Sequence, residues 1–122
     1  MLAERMAKHS VHCWLVNTGW TGGKFGSATG RRCPLSVTRR IVDAIHSGEL
    51  AKAEYETLGL FGLSIPKHVE GVPREILNPE TAWADKDAFD REVKKLAGMF
   101  SKAFKLYESD VDEKVRKAGP AV

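Results

Sequence analysis

Apolar residues recur along residues 85–107 at intervals of three and four, which is the spacing of one face of an α-helix. The positions are Phe89, Val93, Leu96, Ala97, Phe100 and Phe104. Lysines and arginines occupy many of the positions between them, and Asp85 is suited to cap the first turn. The pattern predicts an amphipathic helix from about Asp85 to Tyr107, with its aromatic stripe in the core.

Three further helices are predicted from shorter patterns. Residues 1–9 and 110–118 each favour a short helix. Another helix is predicted to begin at Ser36 or Thr38, either of which can cap it, and to end near His46. Its buried face is expected to consist of Ile41, Val42 and Ile45.

Continuous apolar runs predict buried strands over residues 11–16 and 58–65, and Pro66 is expected to end the second one. Residues 50–56 fit either a short helix or an extended turn, and residues 66–84 predict an ordered but irregular segment. Because two short strands do not make a stable sheet alone, we expect them to belong to a larger sheet. The outline is mixed α/β with few strands and three to four helices, and it favours a fragment of a larger domain.

A glycine-rich, basic loop joins the first predicted strand to the helix that ends near His46. It runs from Asn17 to about Cys33 and brings Arg31 and Arg32 to the start of that helix. Such a long loop is functional, disordered or incomplete. Flexible backbone, several cations and a helix N-terminus together suit a phosphorylated ligand, although a solvated connection is the alternative.

The loop does not match a P-loop. A Walker A sequence requires a glycine five positions before its Gly-Lys pair, and Ser or Thr directly after the lysine. Here Thr18 stands five positions before Gly23, and Phe25 follows Lys24. The motif therefore lacks the hydroxyl group that would bind magnesium.

Composition limits the classes of partner. The 122 residues allow one domain or a piece of one, and 43% hydrophobic residues are enough for a core. The net charge is only +3, and the local excess of positive charge is confined to Arg31, Arg32, Arg39 and Arg40. This pattern indicates an anionic ligand at one place and no nucleic-acid surface.

The sequence favours a cytoplasmic location. Cys13 and Cys33 make no disulfide framework, which favours a reducing compartment. No apolar run approaches the roughly 18 residues of a membrane span, and the sequence shows neither a signal peptide nor a peroxisomal tripeptide. Because His9, His12 and Cys13 match no common zinc spacing, no metal site is predicted. Location in an organelle such as the glycosome is the alternative to the cytoplasm.

Short motifs spread over nearly the whole chain share one resemblance. They are Leu15-Val16-Asn17-Thr18-Gly19-Trp20, Gly30-Arg31-Arg32, Thr38-Arg39, Gly48-Glu49-Leu50, Phe61-Gly62-Leu63-Ser64-Ile65-Pro66, Gly71-Val72-Pro73, Ile76-Leu77-Asn78-Pro79, Trp83-Ala84-Asp85-Lys86 and Ala118-Gly119-Pro120. In this order they resemble the C-terminal portion of ATP-dependent phosphoenolpyruvate carboxykinase. Residues 1–122 are therefore expected to be part of that family's C-terminal, nucleotide-binding domain, without its P-loop or metal site.

The resemblance implies a carboxy-lyase that converts oxaloacetate and ATP to phosphoenolpyruvate, ADP and CO2 in gluconeogenesis. It also implies that this chain supplies the adenine and ribose side of the ATP pocket through Arg32, Cys33 and Thr38. Arg32 would stack on a base or meet a phosphate. The backbone of Cys33 would contact an adenine edge, and Thr38 would supply a hydroxyl group at the helix start.

The family's phosphate-binding loop, metal ligands and substrate-clamping arginine have no match in this sequence. Mg²⁺ and Mn²⁺ are therefore expected only in the full-length enzyme, together with oxaloacetate or phosphoenolpyruvate. Because phosphoryl transfer depends on those groups, the isolated chain is predicted to be catalytically incompetent. The alternatives are a stand-alone, weak nucleotide- or anion-binding module, and an interaction fragment whose exposed sheet edge binds another chain, such as the remainder of the enzyme.

Overall fold

The computed structural model describes residues 2–121 of the chain. In chain order its helices and strands are α1 Leu2–His9, β1 Trp20–Thr21, β2 Arg31–Arg32, α2 Leu35–His46, β3 Tyr55–Leu58, β4 Leu63–Pro66, α3 Arg74–Leu77, α4 Pro79–Ala82, α5 Lys86–Phe104 and α6 Glu113–Lys117. Single 3₁₀ turns occupy Leu50–Lys52, Gly59–Phe61 and Glu108–Asp110. The mixed α/β class is confirmed, with six α-helices within residues 2–121 where three to four were expected.

The strands form two separate antiparallel pairs. Strand β1 pairs with β2, with Trp20 opposite Arg32. Strand β3 pairs with β4, with Tyr55 opposite Pro66 at one end of the ladder. A short ladder between β1 and β2 therefore joins the two ends of the glycine-rich loop. The sequence had predicted irregular chain along the whole loop.

Both predicted strands need correction. The chain turns at Gly59–Phe61, so the run over residues 58–65 contains the end of β3, a turn and most of β4. Gly62 permits this turn because its φ of 60° lies in the left-handed region that favours glycine. Residues 11–16 have no regular secondary structure, and Leu15 is 90% exposed. A strand requires a neighbouring chain for its backbone groups, and no segment within residues 2–121 pairs with this one.

Helix α2 provides much of the core. Its Val37 and Ala44 are buried in one cluster with Leu50, Val69 and Val72. Partly buried residues surround that cluster, namely Trp14, Cys33, Ile41, Ile45, Ala53, Ile76 and Leu77. Two expectations for this helix are wrong. Val42 is exposed because the core contacts the face that carries Val37 and Ala44, and Pro34, not Ser36 or Thr38, occupies the N-cap position.

Helix α5 begins as predicted, because the Asp85 carboxylate accepts a hydrogen bond of 2.9 Å from the Ala88 N–H. Its aromatic stripe is less buried than expected. Ala97 is buried, whereas Phe100 is 55% exposed and packs edge to face on the Phe61 ring, with the ring centroids 5.9 Å apart. Near Phe61, α5 packs against a single 3₁₀ turn, Gly59–Phe61. Because this turn is short, it covers only part of the aromatic stripe. None of the described helices is long and apolar enough to cross a membrane.

The folded chain leaves a large surface uncovered. It exposes 9522 Å² at a mass of 13.5 kDa. A compact monomer of this mass exposes about 6,500 Å², so the excess is about 3,000 Å². Apolar side chains that are at least three-fifths exposed contribute to this excess, and they are Leu2, Leu15, Phe25, Leu35, Leu106 and Tyr107.

A polar cluster joins β3 to α3 and α4. The buried side-chain amide of Asn78 donates a 2.9 Å hydrogen bond to Glu56 Oε1, and its Oδ1 accepts one from the Glu80 N–H at 3.0 Å. Arg74 donates to both oxygens of the Glu56 carboxylate at 3.1 and 3.3 Å. The hydrogen bond from Asn78, together with the positive charge of Arg74, lowers the pKa of Glu56.

We predict that this cluster makes the fold sensitive to acid. Because the pKa of Glu56 in the folded chain lies below its ordinary value of 4.5, ionised Glu56 stabilises the fold above that pH. The stabilisation is lost as the pH falls through the lowered pKa. Urea unfolding between about pH 3 and 7 measures the effect, with Glu56→Gln as the variant that cannot titrate. The stability difference between the parent and Glu56→Gln should shrink at low pH, and a difference that stays constant would contradict the prediction.

Candidate functional site

The glycine-rich loop between β1 and β2 folds into a compact turn. The Ser27 hydroxyl donates to the Lys24 carbonyl at 2.8 Å and accepts from the Gly30 N–H at 3.0 Å. Gly30 lies so close to this turn that an added Cβ atom would overlap the Lys24 carbonyl oxygen. The turn therefore fixes the point at which β2 begins, and with it the positions of Arg31 and Arg32.

Two contacts fasten the loop and β1 to the rest of the chain. The Lys24 ammonium lies 2.7 Å from the Glu92 carboxylate of α5, and the hydrogen bond from Lys24 lowers the pKa of Glu92. The Thr21 hydroxyl of β1 donates to the Glu75 carbonyl of α3 at 3.1 Å. Lys24 is thus engaged by a carboxylate of the same chain.

A cavity of about 470 Å³ lies where β2 leads into α2. Its lining consists of Thr18, Arg32, Cys33, Pro34, Leu35 and Thr38. The three residues that the resemblance assigned to the nucleotide, Arg32, Cys33 and Thr38, are therefore brought together. The volume lies within the range of about 300–1,000 Å³ that is typical of small-molecule pockets.

The sequence interpretation missed Thr18 and Leu35 as lining residues. The pairing of Trp20 with Arg32, continued along the chain, aligns Thr18 with Pro34, which explains why Thr18 reaches the cavity. This register was not predicted, because the sequence interpretation treated the whole loop as irregular. Leu35 is the first residue of α2 and is 63% exposed, so it offers an apolar surface at the cavity wall.

The positive charge beside the cavity comes from fewer arginines than expected. Within residues 2–121, no carboxylate pairs with Arg31, Arg32 or Arg39. Arg40 differs, because its guanidinium lies 2.6 Å from the Glu49 carboxylate. Of these three, Arg32 lines the cavity, and its unpaired guanidinium group together with the N-terminus of α2 favours an anion there.

Backbone contacts limit what Cys33 can offer a ligand. The Cys33 N–H donates to the Gly19 carbonyl at 3.0 Å, so a backbone contact with a ligand falls to the Cys33 carbonyl oxygen. The thiol packs against the core and lies 3.8 Å from the Thr38 hydroxyl oxygen. Thr38 lies inside the first turn of α2, and its hydroxyl makes a long bond of 3.5 Å to the Pro34 carbonyl.

The two tryptophans near the site have different surroundings. Trp20 packs edge to face on Phe25 with ring centroids 5.1 Å apart, and it does not line the cavity. Trp14 is half-buried, and its ring centroid lies 6.2 Å from that of Tyr55.

Comparison with known proteins identifies the family. A family model described as phosphoenolpyruvate carboxykinase matches residues 1–75. The chain belongs to the phosphoenolpyruvate carboxykinase family. A protein of Neurospora crassa named phosphoenolpyruvate carboxykinase (ATP) is 56% identical over the whole chain, which is 20% of that relative. Relatives with the same name from Eremothecium gossypii and Bradyrhizobium diazoefficiens are 52% and 50% identical over 23% and 22% of their lengths.

The chain spans about a fifth of the length of these carboxykinases. Within residues 2–121, no three His, Cys, Asp or Glu side chains come together in a way that could hold a metal ion. The described part of the chain therefore does not fit the divalent metals that the resemblance implies. A second cavity of about 480 Å³ is lined by Glu113, Lys114, Lys117 and Ala118, all from α6 or the residue that follows it.

We predict that Gly30→Ala displaces β2, because the added Cβ has no space beside the Lys24 carbonyl. The indole NMR signal of Trp20, opposite Arg32, should therefore shift. Gly98→Ala is the matched control, because an added Cβ there meets nothing within 4 Å. It should leave Trp20 unchanged and stabilise the chain by about 0.5–1 kcal/mol. An unchanged Trp20 signal in Gly30→Ala would disprove the steric role of Gly30.

Proposed function

We propose that this chain is part of the C-terminal domain of an ATP-dependent phosphoenolpyruvate carboxykinase and forms the adenine and ribose side of its ATP pocket. The observation that carries the proposal is that Arg32, Cys33 and Thr38 line one cavity. The names of the relatives support ATP as the nucleotide. The reaction, oxaloacetate and ATP to phosphoenolpyruvate, ADP and CO2, is proposed for the whole enzyme, because this chain spans about a fifth of its relatives.

Four of the lining residues have a chemical role in this proposal. The Arg32 guanidinium stacks on the base or donates paired hydrogen bonds to a phosphate. The Cys33 carbonyl accepts a hydrogen bond from the exocyclic amino group of adenine, since its N–H is engaged with Gly19. The Thr38 hydroxyl is free to rotate from its long bond with Pro34 toward a ligand oxygen, and Leu35 provides apolar contact.

The proposed setting is gluconeogenesis in the cytoplasm. Cys13 and Cys33 are both free thiols in the structure, which suits a reducing compartment. The mild net charge of +3 supports small anionic ligands as the partners of this region, with no role for nucleic acid.

The proposed role in ATP binding predicts a specific effect of Arg32→Ala on the pure chain. Its ATP affinity, measured by calorimetry or NMR titration, should fall about tenfold, because a charge-assisted hydrogen bond or a stacking contact is lost. Arg31→Ala is the matched control, since Arg31 is also exposed and unpaired but does not line the cavity. Its effect should stay below about threefold, by screening of exposed charge. Equal losses in both variants would indicate general attraction of the nucleotide by charge and would overturn the proposed site.

The second consequence is that the pure chain does not catalyse. Phosphoryl transfer depends on positioning and on charge neutralisation by lysine and metal, and the described part of this chain has no cluster of three His, Cys, Asp or Glu side chains that could hold a metal ion. Lys24, the lysine of the glycine-rich loop, is held by Glu92. Formation of phosphoenolpyruvate from oxaloacetate and ATP should equal the protein-free background. ATP-dependent formation that rises in proportion to the concentration of pure chain would contradict this prediction.

A further inference from the structure

One side of helix α5 carries a row of cationic side chains. Between Arg91 and Lys105 the sequence has five lysines and arginines, and Glu92 is the acid among them. At about 100° per residue, the five cations and Gly98 fall within a sector of about 100° around the helix axis. We call this surface the basic face of α5. All five of its cationic residues are exposed, and they are Arg91, Lys94, Lys95, Lys102 and Lys105.

Helical winding creates the basic face. Along the sequence apolar residues separate these cations, so the sequence interpretation confined the local excess of positive charge to the arginines near α2. In the helix, steps of four, three, four and three residues lead from Arg91 through Lys95, Gly98 and Lys102 to Lys105, a straight row about 20 Å long. Phe100, which packs on Phe61, lies on the opposite side of α5, so the row points away from the rest of the described chain.

Carboxylates of this chain do not neutralise the basic face. In the part of the chain that the structure describes, none forms an ion pair with any of the five cations. Glu92 lies beside the face, and its carboxylate binds Lys24 at 2.7 Å. Asp87 and Asp90 precede the face, in the first turns of α5, where they favour the helix dipole. Because like charges three or four residues apart destabilise a helix, the basic face opposes the stability of α5.

Gly98 leaves a gap in the middle of the basic face. A glycine in a helix interior is less stable than an alanine. The φ of Gly98 is not positive, and an added Cβ would meet nothing within 4 Å, so nothing in the described chain requires a glycine here. Lys94 and Lys95 border the gap one turn before it, and Lys102 borders it one turn after. A partner can therefore approach the backbone of α5 at the short end of the usual range of helix–helix distances, about 8–10 Å.

An acidic α-helix matches the charge, the spacing and the gap of the basic face. Two helices that cross at about 20° stay in contact over several turns, so glutamates at the same spacing would follow the whole row of cations. A side chain of the second helix would fill the gap at Gly98. Met99 and Leu106, which are 59% and 78% exposed, lie along one edge of the face and offer apolar contact. A lipid surface would match the charge, but it has no ridge to fill the gap.

We propose that the basic face of α5 binds an acidic α-helix of a partner protein. The partner helix carries glutamate or aspartate at alternating spacings of four and three residues, and one of its side chains fits over Gly98. The repulsion among the cations and the interior glycine, both unfavourable for α5 alone, are then used at the interface. This inference goes beyond the proposed nucleotide role, because no residue of the basic face lines the nucleotide cavity.

Two synthetic alanine-based helical peptides of about 20 residues test the spacing. One carries glutamates at steps of four, three, four and three, and the other has the same composition with its glutamates distributed around the helix. The first peptide should bind the pure chain at least about tenfold more tightly at low salt, because only its charges follow the row. Its amide NMR shifts should concentrate in residues 91–105. Equal affinity for both peptides would indicate general attraction by charge and would overturn the proposal.

Charge-neutralised variants test the face itself. The double variant Lys95→Gln, Lys102→Gln should bind the first peptide about tenfold more weakly, because both neighbours of the gap lose their charge. Lys52→Gln, Lys114→Gln is the matched control, since it removes the same charge from exposed, unpaired lysines outside α5. Its loss should stay below about threefold, by screening of distant charges. Equal losses in the two double variants would count against the face.

Gly98→Ala tests the gap and separates a protein partner from a membrane. The added methyl group should weaken binding of the first peptide about fivefold, while the chain itself becomes more stable. Unfolding cannot produce that combination. Unchanged peptide affinity would overturn the proposal. Binding to vesicles of phosphatidylserine and phosphatidylcholine that exceeds peptide binding and is unaffected by Gly98→Ala would also overturn it, by assigning the basic face to lipid.

The basic face must also be accessible in a whole carboxykinase. A hybrid in which this chain replaces the matched 123 residues of the Neurospora crassa relative provides that context. The hybrid should bind the first peptide within about threefold of the pure chain, since the row points away from the described core. Loss of peptide binding in a hybrid that is folded would show that the enzyme covers this face and would contradict the proposal.

Discussion

Packing of helix α2 on Leu50, Val69 and Val72 is the interaction on which the rest of the structure depends. Cys33 and Trp14 lie against the same cluster, one at the end of β2 and the other in the segment that precedes β1. The cluster therefore holds both chain segments that meet at the cavity. A nucleotide site at this place is built on the core and not on the glycine-rich loop alone.

Polar contacts extend this small core. Glu56 of β3 is bound by Asn78 and Arg74, the carbonyl of Glu75 accepts from Thr21 of β1, and β1 then pairs with β2. These contacts form a continuous path from the β3–β4 pair to Arg32. Each is a modest interaction by itself, and together they position strands that are too short to be stable as isolated pairs.

The site and the uncovered surface meet at Thr18. On one side of this residue the β1–β2 ladder is closed by the bond from Cys33 to Gly19, and on the other side the backbone has no partner within residues 2–121. The proposed pocket therefore lies at the boundary of what this chain can pack alone. The chain belongs to the carboxykinase family, and the Neurospora crassa relative is about five times longer. That relative therefore has additional residues beyond those that match this chain.

The sequence by itself determined the features that depend on neighbours a few residues away. Asp85 and the apolar spacing after it defined α5, and short motifs pointed to the family and to Arg32, Cys33 and Thr38. Tertiary structure alone decided the pairing of Arg40 with Glu49, the exposure of Phe100 and the arrival of Thr18 at the cavity. The physical reason is that the hydrogen bonds of a helix close within four residues, whereas a strand, an ion pair or a cavity wall depends on partners that the fold brings from elsewhere.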